Sequence, residues 1–245
     1  DCIDLDLISI DDTKVKNGNI TTILTEKDAS KIKTDLDTHK KININDIKTS
    51  ERKLKPRPPF TTASLQQAAY SSLGFSVKMT SSIAQRLYQG MTLGDDEMVG
   101  LISYMRTDST NLSQDCLNDI NDYLSKNHSK FQSKEVRRYS KKVKNAQEAH
   151  EAIRPTSVFN TPDKIKKYLD ESEYKLYNLI WKRTIASQMI DATYKQVGID
   201  FLLSDKYKFK YSGSFLKDNG FKEIYDLSEN DEKEKINKRI LQNLK

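Results

Sequence analysis

The hydrophobic period of this 245-residue chain changes twice, and that change limits the fold more than any other feature. Residues 3–10 and 20–24 alternate like short strands, separated by the turn-like Asp11-Asp12 and Asn17-Gly18-Asn19. Residues 26–36 then read as a short helix with Ala29, Ile32 and Leu36 on one side, and 40–47 as another strand. At the far end 195–203 and 207–215 alternate again, and Asp218-Asn219-Gly220 is a turn before 221–225. Between these stretches the apolar spacing is helical. Leu65, Ala68, Ala69 and Leu73 share a face, with Ser64 and Gln67 at capping-box spacing and Gly74 as a stop. A second helix is expected from about Thr80 to Gly90, with Ile83, Ala84, Leu87 and Tyr88 inward. Asn111 or Ser113 caps a third, whose inner face is Cys116, Leu117, Ile120 and Leu124. Residues 173–189 form the strongest helix, and its period makes Tyr177 and Trp181 core aromatics. The expectation is an α+β chain, with an α-rich domain at 63–190 inserted into a β-rich domain made of 1–62 and 191–245.

Composition narrows the chemistry. With 36% apolar and 31% charged residues the chain is not of disordered composition. A net charge of +6 favours an anionic partner, although solubility alone accounts for such a balance. Cys2 and Cys116 cannot make a four-cysteine zinc site or a disulfide framework. The pairs Asp4/Asp6 and Asp35/Asp37 lack the further acidic residue that would complete a metal cluster, so no metal site is expected. No apolar run is long enough to span a bilayer and no signal peptide opens the chain, so a cytoplasmic protein without membrane association is expected. Both ends fall within structured-looking sequence, which is expected of a piece of a longer protein. Residues 51–60 carry four basic residues and three prolines and should be an extended, domain-crossing arm. The basic stretch with Lys134, Arg137, Arg138, Lys141, Lys142 and Lys144 either tracks a nucleic-acid backbone, with Tyr139 for stacking, or is a solvated loop.

Two stretches carry reactive groups. In Gly100-Leu-Ile-Ser-Tyr-Met-Arg-Thr-Asp-Ser-Thr-Asn111, strand character that persisted to Thr107 would point Tyr104 and Arg106 to the same side. A phenol beside a guanidinium suits phosphoryl chemistry, the oxygen attacking phosphorus and the cation neutralising charge. Asp108 either orients Arg106, joins a hydrogen-bond network or caps the turn. In Glu148-Ala-His-Glu-Ala-Ile-Arg-Pro155 a zinc-protease HExxH motif would need histidine where Arg154 stands. His150 has the chemistry for phosphate binding or proton transfer, and 147–153 reads as one or two helical turns ending before Pro155.

The strings LISYMRTDSTNLS and QEAHEAIRPT resemble two signature blocks of the type IA DNA topoisomerases, specifically the bacterial topoisomerase I branch. PPFTTASLQQAA, LGFSVKMTSSIAQRLYQG and LYNLIWKRTIASQM resemble the same family in order and spacing. The match is strong across 56–190 and fainter at the β-rich ends. Ser103 stands where threonine is common and keeps a hydroxyl. The resemblance implies a helical nucleophile-bearing domain inserted into a β-rich arch. It implies that Tyr104 forms a 5′-phosphotyrosine on a cleaved DNA strand, with Arg106 and His150 at the catalytic site. Glu148 and Arg154 complete the second block, and Gln85, Arg86, Asp108 and Arg154 are the implied substrate contacts. Single-stranded or underwound DNA and the remaining topoisomerase domains are the implied partners, on the bacterial chromosome. The family's Mg²⁺ and its acid–base apparatus belong to a toprim domain that nothing here matches, so no cofactor and no unaided activity are expected of this chain. The alternative is a non-catalytic helix-turn-helix module that binds duplex DNA and gives Tyr104 no special role.

Overall fold

The computed structural model describes residues 3–17, 20–21, 25–94, 98–139, 151–225 and 239. In chain order the elements are β1 (Asp6–Ile10), β2 (Thr13–Lys14), β3 (Lys16–Asn17), β4 (Ile20–Thr21), α1 (Glu26–Asp37), β5 (Asn43–Leu54), α2 (Thr62–Leu73), α3 (Val77–Gln89), β6 (Met91–Thr92), β7 (Met98–Val99), α4 (Gln114–Asn127), α5 (Pro162–Ile165), α6 (Glu171–Ala186), β8 (Ala192–Leu203) and β9 (Tyr207–Asp218). They form an α+β fold with open sheets. Two units emerge, one from 1–53 and 193–218, the other from 54–192 with the turn Gly220–Ile224.

The first unit is a five-stranded sheet in the order β2-β1-β9-β8-β5. Its centre is the long antiparallel β8–β9 hairpin, paired from Thr193↔Asp218 to Leu203↔Tyr207. Ser204 and Asp205 both take φ +53, the primed-turn geometry whose twist matches the strands it joins. The two-residue period of β8 sends Val197, Ile199 and Phe201 to one face, where they bury with Tyr211 against Leu5 and Phe209. Asp35, on α1, accepts hydrogen bonds from the Tyr207 hydroxyl (2.5 Å) and Lys206 Nζ (2.9 Å), so this carboxylate ties helix to hairpin. The strand expected at 40–47 and the extended arm expected from 51 are continuous, because β5 runs on to Leu54. As an edge strand β5 is almost wholly exposed, and its charged residues oppose pairing with other chains.

The second unit is helical, and hydroxyl or carboxylate caps set where its helices start. α2 is capped by Thr61, whose hydroxyl accepts Ser64 N–H (3.2 Å) while Ser64 Oγ accepts Thr61 N–H (2.9 Å). The capping box is therefore Thr61/Ser64, one turn ahead of the Ser64/Gln67 pair expected from spacing. Ser76 caps α3 and starts it at Val77, ahead of Thr80, which is instead buried with its hydroxyl on Ser76 O. Ser113 caps α4. Asp170 and Glu173 box the start of α6, which ends at Ala186 rather than Met189. Leu65, Ile83, Leu87, Ile120, Leu124 and Ile180 fill the core between the helices. Tyr177 and Trp181 are core aromatics, as their period predicts. The Tyr177 hydroxyl donates to Asn160 O (2.6 Å) and Trp181 Nε1 to Val158 O (2.9 Å), which satisfies their polar ends on burial.

The turn Gly220–Ile224 closes this unit through Phe221 N–H, which donates to Ile190 O (2.9 Å). Gly220 sits at φ +49, and a Cβ there would lie 2.3 Å from Asp191 O. Strain and overlap then add, so Gly220→Ala is expected to destabilise the protein by about 3 kcal/mol. Thermal melting of the two proteins checks this.

Candidate active site

Strand character does not persist to Thr107. Strand β7 ends at Val99, and beyond it only the isolated bridge Ile102↔Pro155 has ladder character. Single main-chain bonds and side-chain hydroxyls, rather than the continuous ladder of a neighbouring strand, satisfy this backbone. Ser103 Oγ donates to Ala152 O (2.6 Å) and accepts Arg154 N–H (2.9 Å), while Ser103 N–H donates to Arg154 O (2.8 Å). On the other flank Thr107 N–H donates to Thr62 Oγ1 (2.9 Å) and Thr62 N–H to Thr107 O (2.9 Å). The segment 151–153, expected to end a helical turn, is extended instead and bridges Phe60 through Ile153.

The loop still alternates. Met105 is buried at 6% exposure, while Tyr104 is 47% exposed and Arg106 is exposed too. The Tyr104 ring meets Tyr88 of α3 edge-on, with centroids 5.3 Å apart, a contact that holds the ring on α3. Arg106 has no hydrogen bond or ion pair among the described residues. It borders a cleft of about 240 Å³ between α2 and α3, floored by Leu65 and Met105 and rimmed by Gln66, Ser81 and Gln85. On its other side Arg106 borders a more open hollow with Thr62, Thr107 and Asp108. An exposed phenol and an uncommitted guanidinium, close together on a pinned loop, can respectively attack and hold a phosphate.

Of the residues expected at the site, Arg106, Gln85 and Asp108 line these hollows, and Tyr104 lines neither. The structure commits the other two arginines elsewhere. Arg86 Nε donates to Glu173 (2.7 Å), a carboxylate that is almost fully buried, and Arg86 Nη2 reaches Asp170 (3.4 Å). Arg154 binds Glu151 through Nε (3.0 Å) and Nη2 (2.6 Å), and Pro155 O through Nη1 (2.8 Å). Glu148 and His150 lie outside the described residues. Of the basic stretch, Arg137 pairs with Asp191 (2.7 Å), and Lys141, Lys142 and Lys144 fall outside the described residues. Tyr139 is an anchor and not a stacking platform. Its hydroxyl donates to Ser187 O (2.8 Å), and burial pushes the phenol up to about 12. Sequence reasoning overlooked Thr62 and Glu151; the second had a signal, its i,i+3 spacing to Arg154.

Glu151 joins the loop to α4. Its carboxylate accepts Ser113 N–H (2.7 Å) and the Arg154 guanidinium. Burial raises its pKa, but the Ser113 hydrogen bonds and Arg154 outweigh this and hold it below the ordinary 4.5. A depressed carboxylate stabilises above its unfolded value and loses that contribution as pH falls through the folded one. The native protein should therefore exceed Glu151→Gln in stability by about 1 kcal/mol at pH 7, a hydrogen-bonded charge discounted for partial exposure. The difference should shrink steadily below about pH 4.5. Urea unfolding across that range measures it.

Among the described residues no three His, Cys, Asp or Glu side chains group so as to hold a metal ion. No helix among them is long and apolar enough to cross a membrane.

Fold and site together define a class: an α+β protein whose helical unit presents a candidate phosphoryl-transfer loop. The sequence profile of the DNA topoisomerase family matches residues 3–245, and the chain belongs to that family. It is closely related to bacterial type IA DNA topoisomerase I, as its motifs imply. It is 44% identical to DNA topoisomerase 1 of Xylella fastidiosa over 76% of this chain and 23% of that protein. It is 43% identical to DNA topoisomerase 1 of Rickettsia felis over 96% of this chain and 30% of that protein. The solved full-length topoisomerase I of Thermotoga maritima superimposes with a TM-score of 0.71 at 33% identity, over 86% of this chain and 33% of that one. The chain thus spans roughly a quarter to a third of the length of these relatives.

Proposed function

We propose that this chain carries the nucleophile of a DNA topoisomerase that cuts one strand, passes another through the break and reseals it, relaxing negative supercoils. The observation that carries the reading is the pairing of an exposed Tyr104 with an uncommitted Arg106 on a loop pinned at both flanks. Tyr104 Oη attacks a backbone phosphorus and forms a P–O bond, and the 3′ oxygen leaves and takes up a proton. Arg106 balances the negative charge gathered on the phosphoryl oxygens. Resealing is the reverse, with the 3′ hydroxyl attacking the 5′-phosphotyrosine. One phosphodiester replaces another at each step, so no nucleotide hydrolysis is needed.

In this reading the helical unit is the nucleophile domain and the β-rich unit belongs to the arch around the passing strand. His150 contacts the DNA phosphate, and Gln85 and Asp108 contact substrate around the hollows beside Arg106. Arg86 and Arg154 act by bracing α6 and the loop unless DNA draws them from their ion pairs. Relaxation needs the remaining domains of the family, including the toprim domain and its Mg²⁺. The chain alone should bind single-stranded DNA in preference to duplex and should not relax plasmid. The decisive experiment mixes or fuses the chain with a family toprim domain, adds Mg²⁺ and single-stranded DNA, and denatures. A DNA adduct mapping to Tyr104 supports the reading. Adduct formation elsewhere, or duplex-selective binding with no adduct, would favour the non-catalytic helix-turn-helix module.

A further inference from the structure

We propose that the side-chain hydroxyls of Ser103 and Thr62 are positioning residues for Tyr104, clamping its loop from both flanks so that the phenol meets phosphorus in one geometry. The proposal rests on the assignment of Tyr104 as nucleophile and adds two groups that act through the backbone of its loop, Thr62 while also lining the hollows beside Arg106.

The argument starts from what holds a loop that has neither helix nor ladder. Residues 101–107 run beside two other segments, 60–62 at the start of α2 and the irregular 151–156, and the three are joined by hydrogen bonds. Leu101 O accepts Thr156 N–H (3.0 Å), Phe60 O accepts Ile153 N–H (2.8 Å), and Asn111 O accepts Ala152 N–H (2.8 Å). These main-chain links fix the ends. Adjacent to Tyr104, where Ser103 N–H also donates to Arg154 O and Thr62 N–H to Thr107 O, side-chain hydroxyls add to the joining.

On the N-terminal flank Ser103 Oγ is both donor and acceptor, to Ala152 O at 2.6 Å and from Arg154 N–H at 2.9 Å. On the C-terminal flank Thr62 Oγ1 is also both. It donates to Met105 O (2.8 Å), with Thr107 O at 3.0 Å, and accepts Thr107 N–H (2.9 Å). Each hydroxyl thus satisfies two partly buried backbone groups across a junction between segments. Alanine or valine cannot do so and would leave both groups unpaired. Met105, buried between the two clamps, supplies the apolar pin that lets its neighbours Tyr104 and Arg106 face outward.

The clamp has a kinetic signature. In-line attack depends steeply on the approach of the nucleophile, and a misplacement of about 1 Å costs up to about 100-fold in rate. Loss of a clamp should slow chemistry more than it weakens DNA binding, because neither hydroxyl carries the charge that holds a phosphate. Ser103→Ala, Ser103→Thr, Thr62→Val and Thr62→Ser would be made in the chain joined to the remaining family domains. Single-turnover cleavage of a single-stranded oligonucleotide and its half-saturating concentration are measured for each. Ser103→Ala and Thr62→Val should cleave about 10- to 100-fold more slowly at saturating DNA, with the half-saturating concentration little changed. Ser103→Thr and Thr62→Ser should restore the rate. In parallel the Arg154 amide should lose hydrogen-exchange protection in Ser103→Ala, and the Thr107 amide in Thr62→Val.

Native cleavage rates in the alanine and valine variants would overturn the proposal, as would equal loss in the hydroxyl-retaining ones or unchanged protection of both amides. Should Ser103→Ala fail to fold, Ser103→Cys, similar in size but a poor hydrogen-bonding substitute, carries the same test. Tyr104→Phe serves as the control that separates the two claims. An adduct that persists in it removes the nucleophile assignment. An adduct that vanishes in it while the clamp variants cleave normally removes only the clamp.

Discussion

Tyr104→Phe is expected to abolish the covalent DNA adduct completely while leaving the fold and DNA binding in place. The substitution removes one oxygen and keeps the ring, so the edge-on contact with Tyr88 at 5.3 Å survives. No hydrogen bond within the described residues depends on that hydroxyl, which is part of a side chain 47% exposed, so its loss should cost little stability. The adduct, by contrast, loses the oxygen on which the proposed mechanism forms it. Denaturing electrophoresis of labelled single-stranded DNA, with the remaining family domains and Mg²⁺ present, measures the adduct. Residual adduct in the variant would show that another residue attacks.

Arg106→Ala is expected to lower the rate of strand cleavage by about 10²- to 10³-fold, the usual consequence of removing one donor aimed at developing charge. The inference depends on contrast with three other arginines of the unit. Arg86, Arg137 and Arg154 each hold a carboxylate, so truncating any of them mixes lost function with lost structure. Arg106 has no such partner among the described residues, and its truncation reads out function with less disturbance. Arg106→Lys should recover part of the rate, because a point charge replaces the planar fork. Raising salt should weaken DNA binding in both proteins, less steeply in Arg106→Ala if the guanidinium contacts a phosphate. Equal salt slopes and equal cleavage rates would remove Arg106 from the site.

Arg86 shows what a motif leaves open. Its helix, which in the family faces the active-site region, makes it an implied substrate contact, and the structure engages it with Glu173 and Asp170, the capping pair of α6. Glu173 lies 87 positions further along the chain than Arg86, and only the packing of α3 on α6 brings the two together. Tyr139 teaches the same lesson, since an aromatic among basic residues resembles a stacking platform until its hydroxyl is found on Ser187 O.

What the sequence determined by itself was whatever depends on neighbours within a turn or two. Period assigned the helical centre and the strands at either end, glycine stopped α2, and Tyr177 and Trp181 were core residues from their spacing alone. The motif strings carried the family and the loop that holds Tyr104 and Arg106. Tertiary structure decided what that loop is: an irregular segment joined to its neighbours by hydroxyl hydrogen bonds that span 43 to 51 residues, in place of an adjoining strand. Hydrogen bonds over such separations leave no period in the sequence, because each joins single residues rather than repeating rows.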